Sequence, residues 1–477
     1  MARRLLTLLA ALLLALSLGQ PSASAASFAN PVKAQKGADP WISYHNGNYY
    51  LVTTSWTDVI TIRKSPTLAG LSTAPSVQVW TGDAASRCCN IWAPELHFLN
   101  GRWYLYYVAG RNVSDYIPTQ RTHVLESSGS DPMGPYTYKN QLNSAWMLDP
   151  SVATINGSLY LFGSASGGTQ NLVAARMSNP YTVSGSFSTI STPTHNWERS
   201  GGTVDEGPEI LQRGGRTFLV YSASGCWTPD YKLGQLELTG SNPLAASSWT
   251  KKSTPVFQRN DANGVYGPGH HGFFNSPDGT ESWIVYHAND SASDGCDNGR
   301  TARAQKFTWN SDGTPNLGTP VRLGASSAGP SGEPSSASTT YTVVNRGSGK
   351  CLDVSGSSSA DGANVRQWTC SGANNQRWRL EDLGDDTHRL VNVASGKVLD
   401  TENCSSSDGA DLRQWSWLNN TCQRFRFLAT SGGYVRIVNQ ATSKVAEVAD
   451  CSTADGADVR QWAWLNNNCQ QWQLKPA

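Results

Sequence analysis

Three carboxylates in this chain stand in settings unlike the rest. Asp39 lies in Ala-Asp-Pro-Trp-Ile, Asp149 in Trp-Met-Leu-Asp-Pro-Ser-Val and Glu206 in Val-Asp-Glu-Gly-Pro-Glu-Ile. Most other acids fall in polar turns, where water can solvate them. A carboxyl flanked by apolar or aromatic neighbours is disposed to a shifted pKa, as proton transfer near neutral pH requires. Cleaving a glycosidic bond needs two such groups, one protonated to assist the leaving oxygen and one ionised to activate water or attack. Glu209 is a local rival of Glu206, Asp205 is its neighbour, and Glu95 in Trp-Ala-Pro-Glu reads as structural. No His or Cys spacing suggests catalytic zinc.

Composition narrows the classes. With 37 Lys plus Arg against 36 Asp plus Glu, no net field steers the protein to a polyanion, so nucleic acid is not an expected partner. The 18 Trp and 17 Tyr beside 4 Met suit sugar faces, although β-rich cores use the same rings. Arg3 and Arg4, an apolar run from Leu5 to Leu18 and Ala23-Ser24-Ala25 have the order of a secretory signal over 1–25, cleaved after Ala25. The run is shorter than the roughly 20 residues that span a bilayer, so no membrane partner is expected. The mature protein should be a secreted monomer whose ten cysteines form disulfides.

The acids must be carried by an all-β scaffold. Residues 26–324 contain Gly-led strands at Gly47, Gly101, Gly157 and Gly215, with a further strand at Glu281-Ser-Trp-Ile-Val-Tyr-His. That spacing argues for the blades of a five-bladed β-propeller. Residues 325–340, rich in Ser, Gly and Pro, read as a flexible linker. Over 341–477 Asp361-Gly-Ala recurs at Asp408 and Asp455, a step of 47 each time (408 − 361 and 455 − 408). Trp368, Trp415 and Trp462 keep the same step, as do Gln376, Gln423 and Gln470. Three such repeats with short alternating strands predict a threefold β barrel.

The repeats, each ending in Gln-x-aromatic, resemble the ricin-type β-trefoil of carbohydrate-binding module family 13. That resemblance implies one shallow sugar site per repeat, at Asp353, Arg366 and Trp368; at Asp400, Arg413 and Trp415; and at Glu447, Arg460 and Trp462. Trp378, Phe425 and Trp472 are expected in the core. Cys351 with Cys370, Cys404 with Cys422 and Cys451 with Cys469 would staple each lobe, with Cys226 pairing Cys296 upstream and the pairing of Cys88 and Cys89, a vicinal bond if made to each other, left open.

Upstream, Asp39-Pro, Ile91-Trp-Ala-Pro-Glu-Leu-His97, Leu148-Asp-Pro-Ser151, Glu206-Gly-Pro208 and Gly267-Pro-Gly-His270 together resemble glycoside hydrolase family 43. The resemblance implies an inverting glycosidase with Asp39 as general base, Glu206 as general acid and Asp149 orienting the acid and tuning its pKa. It places Trp92, Trp56, Trp227 and Arg303 around the sugar. No cofactor is required, and His270 would help bind a hydrated calcium or sodium ion in the central channel, with His271 and His287 as packing residues. Tyr221-Ser-Ala-Ser-Gly-Cys-Trp-Thr-Pro-Asp-Tyr231 looks most like the arabinofuranosidase branch, so arabinan, arabinoxylan or their oligosaccharides are the expected partners. A β-xylosidase or arabinoxylan-debranching enzyme is the alternative within the family, and a catalytically dead lectin the alternative outside it. Removing 325–477 should spare activity on small glycosides.

Overall fold

The computed structural model describes residues 27–334 and 340–477; the expected signal segment lies outside the described residues. Strands dominate, and every helical element among the described residues is a 3-10 turn of three or four residues. Four separate four-stranded antiparallel sheets follow one another, opening with strands Cys89–Leu99, Met147–Ile155, Asp205–Arg213 and Tyr266–Asn275. Before them runs a further antiparallel set of four strands, Trp41–His45, Asn48–Val52, Val59–Ser65 and Ser76–Thr81. The arrangement is that of a β-propeller.

Local chemistry explains the regularity. The first hairpins turn on Asn46-Gly47, Asn100-Gly101, Asn156-Gly157 and Gly214-Gly215, every one of these residues at positive φ. Two positive φ values in succession make the turn whose twist matches the flanking strands, and Asn and Gly adopt them at least cost. The tight two-residue loops pin the registers His45↔Asn48, Leu99↔Arg102, Ile155↔Ser158 and Arg213↔Arg216.

Each first strand is also interrupted in the same way. Pairing jumps from Trp92 to Glu95, from Leu148 to Ser151, from Glu206 to Glu209 and from Gly269 to Gly272. Before strand Trp41–His45 the same step separates Ala38, bonded to Thr54, from Trp41, paired with Val52. Inside each bulge stands a residue with left-handed backbone: Asp39, Ala93, Asp149, Gly207 and His270, at φ from 41° to 55°. Proline follows the first four. It has no N–H to lose from the ladder, so it fits a bulge where it would break a regular strand.

The N-terminal segment closes the ring. Asn30 exchanges hydrogen bonds with the Ala304 backbone, Val32 and Lys33 bond to Ala302, and Ser27–Ala29 pairs with Ser326–Ala328. The beginning of the expected linker is thus part of a sheet, and the buried Glu333 accepts from the Leu68 N–H at 2.8 Å. Residues 335–339 lie outside the described residues.

Three β-rich lobes make up 341–477, with equivalent bridges Asn364↔Arg413, Asp411↔Arg460 and Arg366↔Asp458 joining them. Trp378, Phe425 and Trp472 are buried in their core. Gln376, Gln423 and Gln470 each accept from a loop N–H, at Ser371, Leu418 and Leu465. The four expected disulfides are formed, and Cys88 is bonded to Cys89.

The trefoil is docked. Val77 and Gln78 pair in parallel with Phe427 and Leu428, and one buried apolar cluster runs from Tyr50, Val77 and Tyr136 to Tyr341, Trp378 and Phe427. Buried Arg63 pairs with Asp382 across the junction. His388 Nε2 accepts from the Ser76 N–H at 3.1 Å.

Candidate active site

The repeated bulges aim their side chains at one place. Asp39 Oδ1 lies 3.3 Å from His270 Nδ1 and 3.4 Å from Arg300 Nη1. Its Oδ2 accepts a 2.5 Å hydrogen bond from the Thr54 hydroxyl. Burial alone would favour the neutral acid, but His270, Arg300 and His287 outweigh it and hold the Asp39 carboxyl far below the usual range.

The other two carboxylates are tuned the opposite way. Asp149 is buried and accepts from the Gly207 N–H at 3.0 Å. Burial, opposed by His270 but reinforced by the charges of Glu206 and Asp39, pushes its pKa up to about 7. Glu206 is partly covered, and burial raises its pKa too. Both its oxygens are occupied, Oε1 by the Tyr231 hydroxyl at 2.8 Å and Oε2 by Gln170 Nε2 at 2.7 Å. Asp149 and Glu206 therefore form a pair that keeps a proton where an ordinary acid has lost it, while Asp39 stays ionised. Groups whose environments drive their pKa values apart are the mark of an acid and base working together.

His270 sits among all three. Burial disfavours its charge, but Asp39 and then Asp149 and Glu206 raise its pKa. Its ring covers Gly207, where an added Cβ would lie 3.4 Å away at a φ of +53° that only glycine adopts easily.

The strained backbone is held by stitches from sheet to sheet. Thr54 Oγ1 accepts from the Ala93 N–H at 2.7 Å, Ser164 Oγ donates to the Asp205 carbonyl at 2.7 Å and Ser222 Oγ accepts from the His270 N–H at 2.7 Å. His287 Nδ1 accepts from the Asp39 N–H at 3.2 Å, joining the last sheet to the first strand set. Left-handed non-glycine residues persist only where the surroundings over-determine them.

Residues 28–315, more than half of the chain, match the family described as glycosyl hydrolases family 43. The chain belongs to that family. Residues 332–415 and 421–477 of this family 43 protein match the ricin-type beta-trefoil lectin domain-like family. It is 41% identical over 343 residues to the extracellular exo-alpha-(1->5)-L-arabinofuranosidase of Streptomyces avermitilis, covering 67% of this chain and 70% of that one. The enzyme of the same name from Streptomyces chartreusis is 39% identical over 278 residues, 55% of this chain and 83% of its own. Among solved structures, the alpha-L-arabinofuranosidase from Lactobacillus brevis is 32% identical with a TM-score of 0.59, over 62% of this chain and 98% of that one.

The remaining expected residues of the family 43 site fall unevenly. Trp56, at φ +54°, has the Arg300 guanidinium 5.1 Å from its ring, which ties it to the Asp39 network. Trp92 immediately precedes Ala93 in its bulge and meets Tyr116 edge-on at 5.8 Å. Trp227 is 57% exposed, against Gly202 and Gly225. Arg303 does not join them: it is 0% exposed, with its guanidinium bonded to Asp290, Thr301 and the Asn289 carbonyl. The arginine beside the Asp39 carboxylate is Arg300, three residues earlier on the approach to the same strand.

His287 is not merely a packing residue. Besides meeting Asp39, it stacks on Tyr231 at 5.6 Å with planes 4° apart, and Tyr231 holds Glu206. His271 is buried beside Phe273 and has no hydrogen-bond partner among the described residues. Sequence reading also missed Arg300, Gln170 and Thr54, none of which stands in a motif, and gave no role to Tyr231, which closes the segment Tyr221–Tyr231. Glu209 and Glu95 lie one pleat beyond the bulge residues: Glu209 accepts from Ser151 at 3.2 Å, and Glu95 meets His97 Nε2 at 2.7 Å.

In the trefoil each expected set is brought together. Arg366 Nε bonds Asp353 at 3.1 Å, Arg413 Nε bonds Asp400 at 3.0 Å and Arg460 Nη2 bonds Glu447 at 3.2 Å. Each guanidinium also lies over its lobe's indole, at 4.1, 4.3 and 4.4 Å. Asn375 adds a 2.8 Å bond to Asp353; the equivalent positions in the other lobes are the disulfide cysteines Cys422 and Cys469.

Proposed function

We propose that this protein is a secreted, inverting exo-α-1,5-L-arabinofuranosidase that removes single arabinose units from arabinan or its oligosaccharides. The observation that carries the reading is the opposed tuning of carboxylates around His270, with Asp39 held ionised and the buried Asp149–Glu206 pair retaining a proton. Asp39 accepts the proton of the water that attacks the anomeric carbon. Glu206 protonates the departing oxygen, and Asp149, tied to the Gly207 N–H beside it, keeps the acid oriented and charged with its proton. Trp92, Trp56 and Trp227 border the sugar. The identity to the two Streptomyces enzymes supports the arabinan preference.

The reading extends to architecture. The first strand set carries the same bulge as the four separate sheets, which supports a five-bladed propeller over 26–324, followed by a connection over 325–340 and the sugar-binding trefoil at 341–477. The five disulfides and the extracellular relatives support cleavage of the signal segment and secretion. The chain acts as a monomer, without a nucleic-acid or membrane partner; no described helix is long and apolar enough to cross a membrane.

His270 is the residue that would help hold a hydrated calcium or sodium ion in the central channel, through the face of its ring not turned to Asp39. His270 Nδ1 is turned to Asp39, and the surrounding carboxylates raise the pKa of the ring against the effect of its burial.

The test is proton NMR of hydrolysis of linear arabino-oligosaccharides. Arabinose should appear first as the β anomer, and Asp39→Ala and Glu206→Ala should each abolish its release. First release of the α anomer, or undiminished turnover in either variant, would refute the proposal.

A further inference from the structure

Where the trefoil meets the first strand set, the two parts enclose a cavity of about 500 Å³. The propeller side contributes Tyr50, Lys64 and Asp131, and the trefoil side Tyr341, Tyr434 and Gln473. Neither side has the cavity alone. Its volume lies within the roughly 300–1,000 Å³ of small-ligand pockets, room for about two or three sugar units.

The lining is unusual in what it leaves unused. The rings of Tyr50 and Tyr341 are buried, and their hydroxyls, which bond to no described residue, are not among the buried unpartnered atoms and so remain accessible. The Lys64 ammonium lies 5.7 Å from the Tyr50 ring centroid and forms no ion pair among the described residues. The Gln473 amide is likewise unbonded there. Asp131 accepts from the Met133 N–H through one oxygen and stands near the Tyr50 hydroxyl, whose pKa it helps burial to raise. Tyr434 follows the turn Ser431–Gly433, where Gly432 and Gly433 both have φ of +75°, and Arg346 supports its ring at 4.6 Å.

This lining selects a ligand class. An apolar molecule would leave the phenols, amine and amide unsatisfied. An anion would meet Asp131, and a cation would meet Lys64 and Lys475. A neutral carbohydrate offers apolar ring faces to tyrosines and hydroxyls to the remaining groups. We propose that the junction is a second, non-catalytic carbohydrate site that holds a short neutral pentose segment of the polysaccharide and exists only while the trefoil is docked. The choice of pentose rests on the functional reading above; the carbohydrate class rests on the lining.

The experiment is calorimetric titration of the full chain with linear arabinotetraose, and separately with xylotetraose, in a background carrying Asp39→Asn to stop turnover and Trp368→Ala, Trp415→Ala and Trp462→Ala in the lobes. Adding Lys64→Ala or Tyr434→Ala should each remove one binding equivalent for at least one of the two sugars. The same two substitutions in the otherwise unchanged enzyme should leave hydrolysis of a small aryl α-L-arabinofuranoside at its original rate. Thermal melting accompanies both variants. Lys64 is exposed and without an ion pair, so its removal does not endanger the fold. An unchanged stoichiometry in Lys64→Ala for both sugars would overturn the proposal, whatever Tyr434→Ala does. Failure of the parent enzyme to hydrolyse the aryl arabinofuranoside would instead refute the arabinofuranosidase reading and leave the xylotetraose titration standing as the test of the site.

Discussion

Thr54→Val separates the role of Asp39 from that of its supports. Thr54 is buried, and its hydroxyl donates to Asp39 Oδ2 at 2.5 Å while accepting from the Ala93 N–H at 2.7 Å. Valine keeps nearly the same shape and deletes both bonds. A hydrogen bond to a charged group contributes about 1.5–3 kcal/mol. Arg300 and His270 still grip Oδ1, so the lower half applies, and ~1.5–2 kcal/mol lost from the alignment of the base corresponds to roughly 10–30-fold in kcat. Substrate binding does not use this bond, so KM should hold. The stranded Ala93 N–H should cost about 1–3 kcal/mol of stability, visible as a lower melting temperature. Steady-state kinetics on an aryl α-L-arabinofuranoside, beside calorimetry, measures both, and Thr54→Ser should restore kcat because it restores the hydroxyl. A kcat within threefold of the parent, or a loss carried by KM, would refute the claim that this bond orients the base.

Other perturbations have equally definite outcomes. Activity should fall as pH rises through the region of 7, because the Asp149 pKa is raised to about 7 and the pair must hold a proton; a flat profile from pH 6 to 9 would contradict it. A carboxyl raised in the fold contributes stability that is present below its unfolded pKa and lost as pH rises through the folded value. Asp149→Asn should therefore melt higher than the parent above pH 7 while losing most activity, as differential scanning calorimetry and kinetics would report. Arg63→Ala should destabilise by about 3–5 kcal/mol, since it strands Asp382 and also removes donors to Ser76, Leu71 and Ser72. Denaturant unfolding followed at Trp fluorescence would show it. Ending the chain at residue 324 should impair folding, and with it activity on small glycosides, because it uncovers Val77 and Tyr50 and removes the partner of Ser27–Ala29; solubility and aryl-glycoside turnover of the truncated chain would decide.

How much of this could be read beforehand follows from how each feature is encoded. The trefoil repeats itself at a fixed step, so its lobes and buried Trp378 and Trp472 are visible as recurring letters; Cys404–Cys422 and Cys451–Cys469 keep that step, while Cys351–Cys370 stands at other positions of its lobe. The three carboxylates were visible because Asp-Pro and Glu-Gly-Pro are local. Arg300, His287, Tyr231 and Thr54 reach the site through sheet register and long-range packing, which no short window contains; that Arg300 rather than Arg303 meets Asp39 is a matter of side-chain direction. The docked trefoil was hidden for a related reason. Its junction uses ordinary Val, Tyr and Phe residues whose partners lie hundreds of positions away, as with Val77 and Phe427. A Ser-rich segment seen alone says only that it buries little of itself.

The bulges suggest why local letters sufficed for the acids. All five first strands spend three residues against two of their neighbours at the same point, and the residue inside is Asp39, Ala93, Asp149, Gly207 or His270. A bulge re-aims the side chains around it, and here it displays either its own residue, as for Asp39, Asp149 and His270, or the one before, as for Glu206 and Trp92. One backbone device, repeated around a ring, thus delivers different chemistry according to which letter fills it. The proline that follows marks the device in sequence, and the side chain opposite commonly stitches it to its neighbour, as Thr54, Ser164, Ser222 and His287 do. Catalytic geometry then depends on the closure of the whole ring: loosening the joint between His287 and Asp39 would disturb the first carboxylate from the last sheet, without touching any residue that meets the sugar.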